Sequence, residues 1–78
     1  MAQFPSLKAR ELFRVLERSP LHYRTTRQKG SHRRMESDQG KPDLVLAFHD
    51  NQTLPPGLVR KILVKDVGLS ESEALGLL

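Results

Sequence analysis

The chemistry-bearing residues of this chain crowd into one stretch, RTTRQKGSHRRM, Arg24 to Met35. It holds five basic side chains, one histidine, one Gly-Ser pair and no acid. These residue types meet the needs of metal-free RNA cleavage. The 2′-hydroxyl of RNA can act as the nucleophile. The catalyst then supplies a base for its proton, an acid for the leaving 5′-oxygen, and cations for the charge that builds around phosphorus. Histidine changes charge near neutral pH without special burial, and a positioned general base contributes roughly 10²–10⁴-fold. Lys and Arg stabilise the developing negative charge, and backbone N–H groups of a Gly-Ser turn can face a phosphate. His32 is therefore the candidate catalytic residue. Arg27, Lys29, Gly30, Ser31, Arg33 and Arg34 are the candidate phosphate-binding residues. The same stretch also reads as a solvated basic hairpin, or as a surface that only grips nucleic acid. The residues alone leave all three readings open.

The other two histidines sit in plainer settings. His22 lies beside Tyr23 and reads as a rim residue, and His49, ahead of Asp50-Asn51, reads as part of a turn. His22 and Tyr23 are conceivable helpers in proton transfer. The three histidines and nine acids are scattered, with no H-x-x-x-H or His-carboxylate cluster, so neither metal nor cofactor is expected. The chain has no cysteine, which excludes disulfides and thiolate metal sites. No apolar run approaches the roughly 18 residues of a membrane span. The opening MAQFPSLKAR lacks the apolar core of a secretory signal, so a cytoplasmic protein is expected.

Charge is unevenly spread. Residues 1–34 carry nine Lys/Arg against two Glu, a net of +7, while residues 35–78 carry four against seven acids, a net of −3. A concentrated positive field attracts polyanions, and phosphate neutralisation dominates non-specific nucleic-acid affinity.

The elements that must position these side chains follow from periodicity. The 78 residues make one domain, 1–78. Ser6 can cap a first helix, and Ala9, Leu12, Phe13 and Leu16 fall on one stripe, predicting a helix over 6–18 that Ser19-Pro20 ends. LHYRTTRQ reads as a strand, KGS as a turn with Gly30 free to take positive φ, and HRRME as a second strand. Alternation puts His32, Arg34 and Glu36 on one face, and Arg33 and Met35 on the other. SDQGKPD is a loop, and the unbroken apolar run LVLAF, 44–48, reads as the most buried strand. After HDNQTLPPG, the pairs Leu58/Ile62 and Val59/Leu63 with Val67 mark a second helix, with Gly68 as its C′ residue. SESE, 70–73, matches a capping box and predicts a short C-terminal helix within 69–78. Its Leu75, Leu77 and Leu78 must fold back on the core or meet a partner. The sum is α+β: helix, three antiparallel strands, helix, with both helices on one face of the sheet and the other face open.

At this point order and wording together resemble a family. SLKARELFRVLER as first helix, RQKGSHRRM as signature and LPPGLVRKILVKDVGLSESEAL as closing segment are similar to HicA-type toxins, the YcfA-like mRNA interferases of type II toxin–antitoxin systems. The word R-x-K-G-S-H is the specific part. The resemblance implies a fold like the double-stranded-RNA-binding domain, α-β-β-β-α. It implies a ribosome-independent, metal-independent endoribonuclease acting on mRNA, with the histidine after Gly-Ser, His32 here, as its essential group. It further implies a monomeric toxin neutralised in a larger complex by a HicB-type antitoxin, with no membrane involved. Many relatives carry Gly before the aromatic of the first strand, an apolar residue or second histidine after the signature histidine, and Pro-x-His near the third strand's end. Here those places hold Leu21-His22, Arg33 and Ala47-Phe48-His49. A non-catalytic RNA-binding module of the same fold is the alternative.

Overall fold

A computed structural model describes residues 3–78. The first helix, α1, spans Ala9–Glu17, three residues shorter at its start than the spacing predicts. Ser6 does not cap it. Instead Leu7–Lys8 forms a short strand, β1, whose partner is Thr53–Leu54, β5. This pairing brings the loop after the sheet against the helix start. There the carbonyls of Gln52 and Asp50 accept the N–H groups of Ala9 and Arg10 at 2.8 and 3.1 Å. Two of the orphan donors of the first turn are thus satisfied by distant backbone. The Glu11 carboxylate accepts the Lys8 N–H at 2.9 Å, closing the helix start from inside. Ala9, Leu12, Phe13 and Leu16 are buried, as the stripe requires.

The main sheet is antiparallel, with strand order β2 (Tyr23–Lys29), β3 (His32–Ser37), β4 (Leu44–Ala47). The apolar run is the most buried of the three strands, but on one side only: Leu44 and Leu46 are buried, and Val45 and Ala47 are exposed. β4 lies at an edge of the sheet, and the charged strand β3 is central. One-sided burial explains the alternation: helices cover a single face, so every strand, however apolar, alternates. Tyr23, Met35, Leu44 and Leu46 turn toward the helices.

The second helix begins with α2, Pro56–Arg60, and continues as π-helical turns over Lys61–Asp66. Pro56 takes a first-turn position, where its missing N–H costs nothing. In the wider turns the Val67 N–H donates to the Ile62 carbonyl at 2.9 Å, an i→i+5 bond that aligns two buried side chains. Gly68, at φ +93°, ends the segment as predicted, and the Leu69 N–H donates back to the Leu63 carbonyl.

Ser70 and Glu73 form the predicted capping box: the Ser70 hydroxyl accepts the Glu73 N–H and the Glu73 carboxylate accepts the Ser70 N–H, both at 3.1 Å. The short helix α3 follows over Glu71–Gly76. Leu75 and Leu77 fold back against the core, while Leu78 stays 38 % exposed. Arg60 grips Glu71 at 2.6 Å, and Arg18 donates to the Leu77 carbonyl at 2.9 Å, tying the C-terminal turn to both longer helices. Among the described residues no polar or charged side chain is buried. The α+β order, with helices on one side of a three-stranded sheet, is the one predicted.

Candidate nucleic-acid interface

The site begins at a turn. Gly30 and Ser31 alone connect β2 to β3, and Lys29 pairs directly with His32 across them. Gly30 has φ +59° and Ser31 does not share the positive φ, the pattern of a II′ hairpin turn with glycine first. The turn fixes which residues flank it, and hence sets a lysine beside the histidine.

The strands decide which side chains share a face. In β3, His32 and Arg34 point to the open side, and Arg33 and Met35 to the helix side. In β2, simple alternation would set Arg27 and Lys29 on the same side as buried Tyr23. A β-bulge prevents this. The register runs Thr25↔Met35 and then Arg27↔Arg34, so Thr26 is an extra residue with no partner of its own. Every residue beyond it changes face. Arg27 therefore stands opposite Arg34, and Lys29 opposite His32, all on the open side.

Four of the predicted site side chains thus come together: His32, Arg27, Lys29 and Arg34. With Arg33 and Val45 they line a shallow cavity of about 140 Å³. Arg34 is held at 2.6 Å by Asp43, with Glu36 at 3.6 Å, and keeps about half its side chain exposed. Arg27 and Lys29 make no ion pair among the described residues. Gly30 and Ser31 contribute the turn at the end of this face.

The Arg33 side chain is not brought onto that face. Its guanidinium carbon lies 3.9 Å from the centre of the Phe13 ring, on the helix side, and its Nη2 lies 3.7 Å from Asp50. Only 16 % of the side chain is exposed. Arg33 joins the sheet to α1 and to the loop after β4. The alternation of β3 carries that signal, while its seat on Phe13 does not appear in the sequence.

His22 is exposed with φ +51°, ahead of β2 and at the end of that strand remote from His32. His49 is exposed in the turn after β4, where its carbonyl accepts the Gln52 N–H at 2.9 Å. Tyr23 is buried and donates its hydroxyl to the Pro42 carbonyl at 2.6 Å. Burial, then the negative charge of Asp43, raises its pKa above the ordinary value. It serves the core rather than the open face. Among the described residues no three His, Asp or Glu side chains cluster as metal ligands would. No helix among them is long and apolar enough to cross a membrane.

An antiparallel three-stranded sheet, backed by helices and open on a basic face, defines an α+β protein of the double-stranded-RNA-binding-domain-like class. The family model for the HicA toxin of bacterial toxin–antitoxin systems matches residues 9–69 of the 78. The chain belongs to the HicA toxin family, and so is the toxin side of a toxin–antitoxin pair. No curated protein and no solved structure matches it.

Proposed function

We propose that this toxin is an endoribonuclease that cleaves mRNA without metal or ribosome, with His32 as its catalytic group. One observation carries the reading: in a chain of the HicA family, the histidine of the basic open face is surrounded by Lys29, Arg27 and Arg34. His32 takes the proton of a ribose 2′-hydroxyl. The 2′-oxygen attacks the adjacent phosphorus, the bond to the 5′-oxygen breaks, and that oxygen leaves with a proton. The products are a 2′,3′-cyclic phosphate and a 5′-hydroxyl end. Lys29 and Arg27 neutralise the phosphoryl oxygens, and so does Arg34 from its place between Asp43 and the cavity. The N–H groups of the Gly30-Ser31 turn lie close enough to the His32–Lys29 pair to add donors. Arg33 acts from behind, by fixing the strand that carries His32. A HicB-type antitoxin neutralises this face in a toxin–antitoxin complex, and the toxin acts as a monomer in the cytoplasm.

The test is cleavage of a labelled, ribosome-free RNA with EDTA throughout, wild type beside His32→Ala. Wild type shortens the RNA, and the variant loses at least about 100-fold in rate while still shifting RNA in a gel. RNA left intact by both proteins, with binding retained, would make the chain a binding module instead.

A further inference from the structure

On the open side of the edge strand β4 stands a side chain that this chemistry does not use. Val45 is 66 % exposed, while its neighbours Leu44 and Leu46 are buried on the helix side. Folding does not require valine there, because threonine, equally β-branched and more polar, suits a water-facing strand position as well. Its surroundings are charged. Val45 is directly cross-strand from Arg34, which is in turn cross-strand from Arg27. His32 is its diagonal neighbour, opposite Ala47, at a Cβ separation of about 7 Å. In the cavity lined by Arg27, Lys29, His32 and Arg34, Val45 is the apolar member.

An apolar side chain at the end of a cross-strand row of cations is complementary to a ligand with an apolar face and a charged edge. A phosphate or ribose alone gains nothing from the valine. A nucleotide has both parts: a base whose flat face displaces water from an aliphatic side chain, and a phosphate for the cations. We propose that Val45 is the seat of a nucleobase in the RNA strand on this face, the base of a nucleotide adjoining the phosphate held at His32. The proposal rests on the RNA-directed reading of the open face and adds a base-binding residue to it. Arg27 makes no ion pair among the described residues, so its planar guanidinium is available to stack on the same base. Valine offers no hydrogen-bonding group to a base edge. The subsite therefore requires a base without reading its identity, and favours purines only through their larger face.

The test is binding of two oligoribonucleotides of equal length, one intact and one with abasic positions through its centre. It is made in the His32→Ala background so that no cleavage intervenes. The background protein binds the intact strand about five-fold more tightly, the effect of burying most of one valine. Adding Val45→Ser brings the ratio to near one, by weakening the intact strand and leaving the abasic one unchanged. Adding Val45→Ile preserves the ratio. A ratio that Val45→Ser does not change, or no preference for the intact strand at all, overturns the inference. An unchanged ratio with weakened capture of the antitoxin would assign Val45 to the protein partner and overturn it equally. Cleavage is assayed separately in protein that retains His32. Cleavage with a Val45-independent ratio removes the base seat and keeps the ribonuclease. A Val45-dependent ratio without cleavage keeps the seat and removes the ribonuclease.

Discussion

Arg33 and its neighbours show how little residue type alone says about role. Arg27, Lys29, Arg33 and Arg34 are four cations within eight positions, yet they divide into three kinds. Arg27 and Lys29 face outward and make no ion pair among the described residues, Arg34 is paired with Asp43 and Glu36, and Arg33 lies on Phe13 with Asp50 behind it. Different consequences follow for truncation. Arg27→Ala and Lys29→Ala each lower the slope of log affinity for single-stranded RNA against log salt by about 0.7, with little change in melting temperature. Arg33→Ala leaves the slope unchanged and destabilises the fold, since a partly desolvated cation–π contact is worth about 1–2 kcal/mol. Thermal melts beside salt titrations separate the two. A salt slope that falls on Arg33→Ala would show that this side chain leaves Phe13 to meet RNA.

At the scale of the element, the hairpin β2–β3 does most to build the site, and its bulge is the decisive part. Were Thr26 paired like its neighbours, Arg27 and Lys29 would alternate with Tyr23 and Thr25 and turn toward the helix side. Deleting Thr26 removes the extra residue, and simple alternation then keeps Arg27 opposite Arg34 and Lys29 opposite His32. Circular dichroism should still report the α+β fold, because the bulged strand is an edge strand. The salt slope should stay unchanged, because both cations keep the open face. A slope lower by about 1.4 would mean that the strand pairs in another register and takes two cations off that face. The bulge has a second effect: with the charged side chains of β2 it blunts a long exposed edge against pairing with another sheet. The turn beside it is equally constrained. Gly30→Ala meets no atom within 4 Å, but at φ +59° its Cβ costs about 1–2 kcal/mol through backbone strain, readable as a lower melting temperature.

For the whole molecule, one core holds the helices to the sheet, and Tyr23 reports on it. It is the only tyrosine of the chain, and there is no tryptophan, so tyrosinate absorbance has a single source. Burial and the Asp43 charge raise its pKa above the ordinary 10.0. A raised folded value means that the unfolded chain ionises first. The contribution of Tyr23 to stability is then complete below pH 10.0 and is lost as pH rises through the raised folded value. Tyrosinate absorbance of the folded protein should emerge only above pH 10.0, and Tyr23→Phe should flatten the alkaline fall in stability. Titration at the value of free tyrosine would place the hydroxyl in water and contradict its bond to the Pro42 carbonyl.

Where local chemistry decides, the residues were enough. The stripe of α1, the Gly30-Ser31 turn, the stop at Gly68, the Ser70–Glu73 capping box and the three-strand order all depend on near neighbours, and all were legible. So was the alternation that separates His32 and Arg34 from Arg33. Three features were not legible, because each depends on a partner far away in the chain. The start of α1 is set by carbonyls of Asp50 and Gln52 rather than by Ser6. The apolar run 44–47 became an alternating edge strand because helices cover one face only, which left Val45 in the open. The bulge at Thr26 has no signature of its own: it is a mismatch in count between β2 and β3, defined only once the two strands pair. Near neighbours along the chain suffice to set a histidine beside a tight turn among cations. Which of those cations share its face depends on how the strands pair, because a one-residue shift in strand register exchanges the two faces of a sheet.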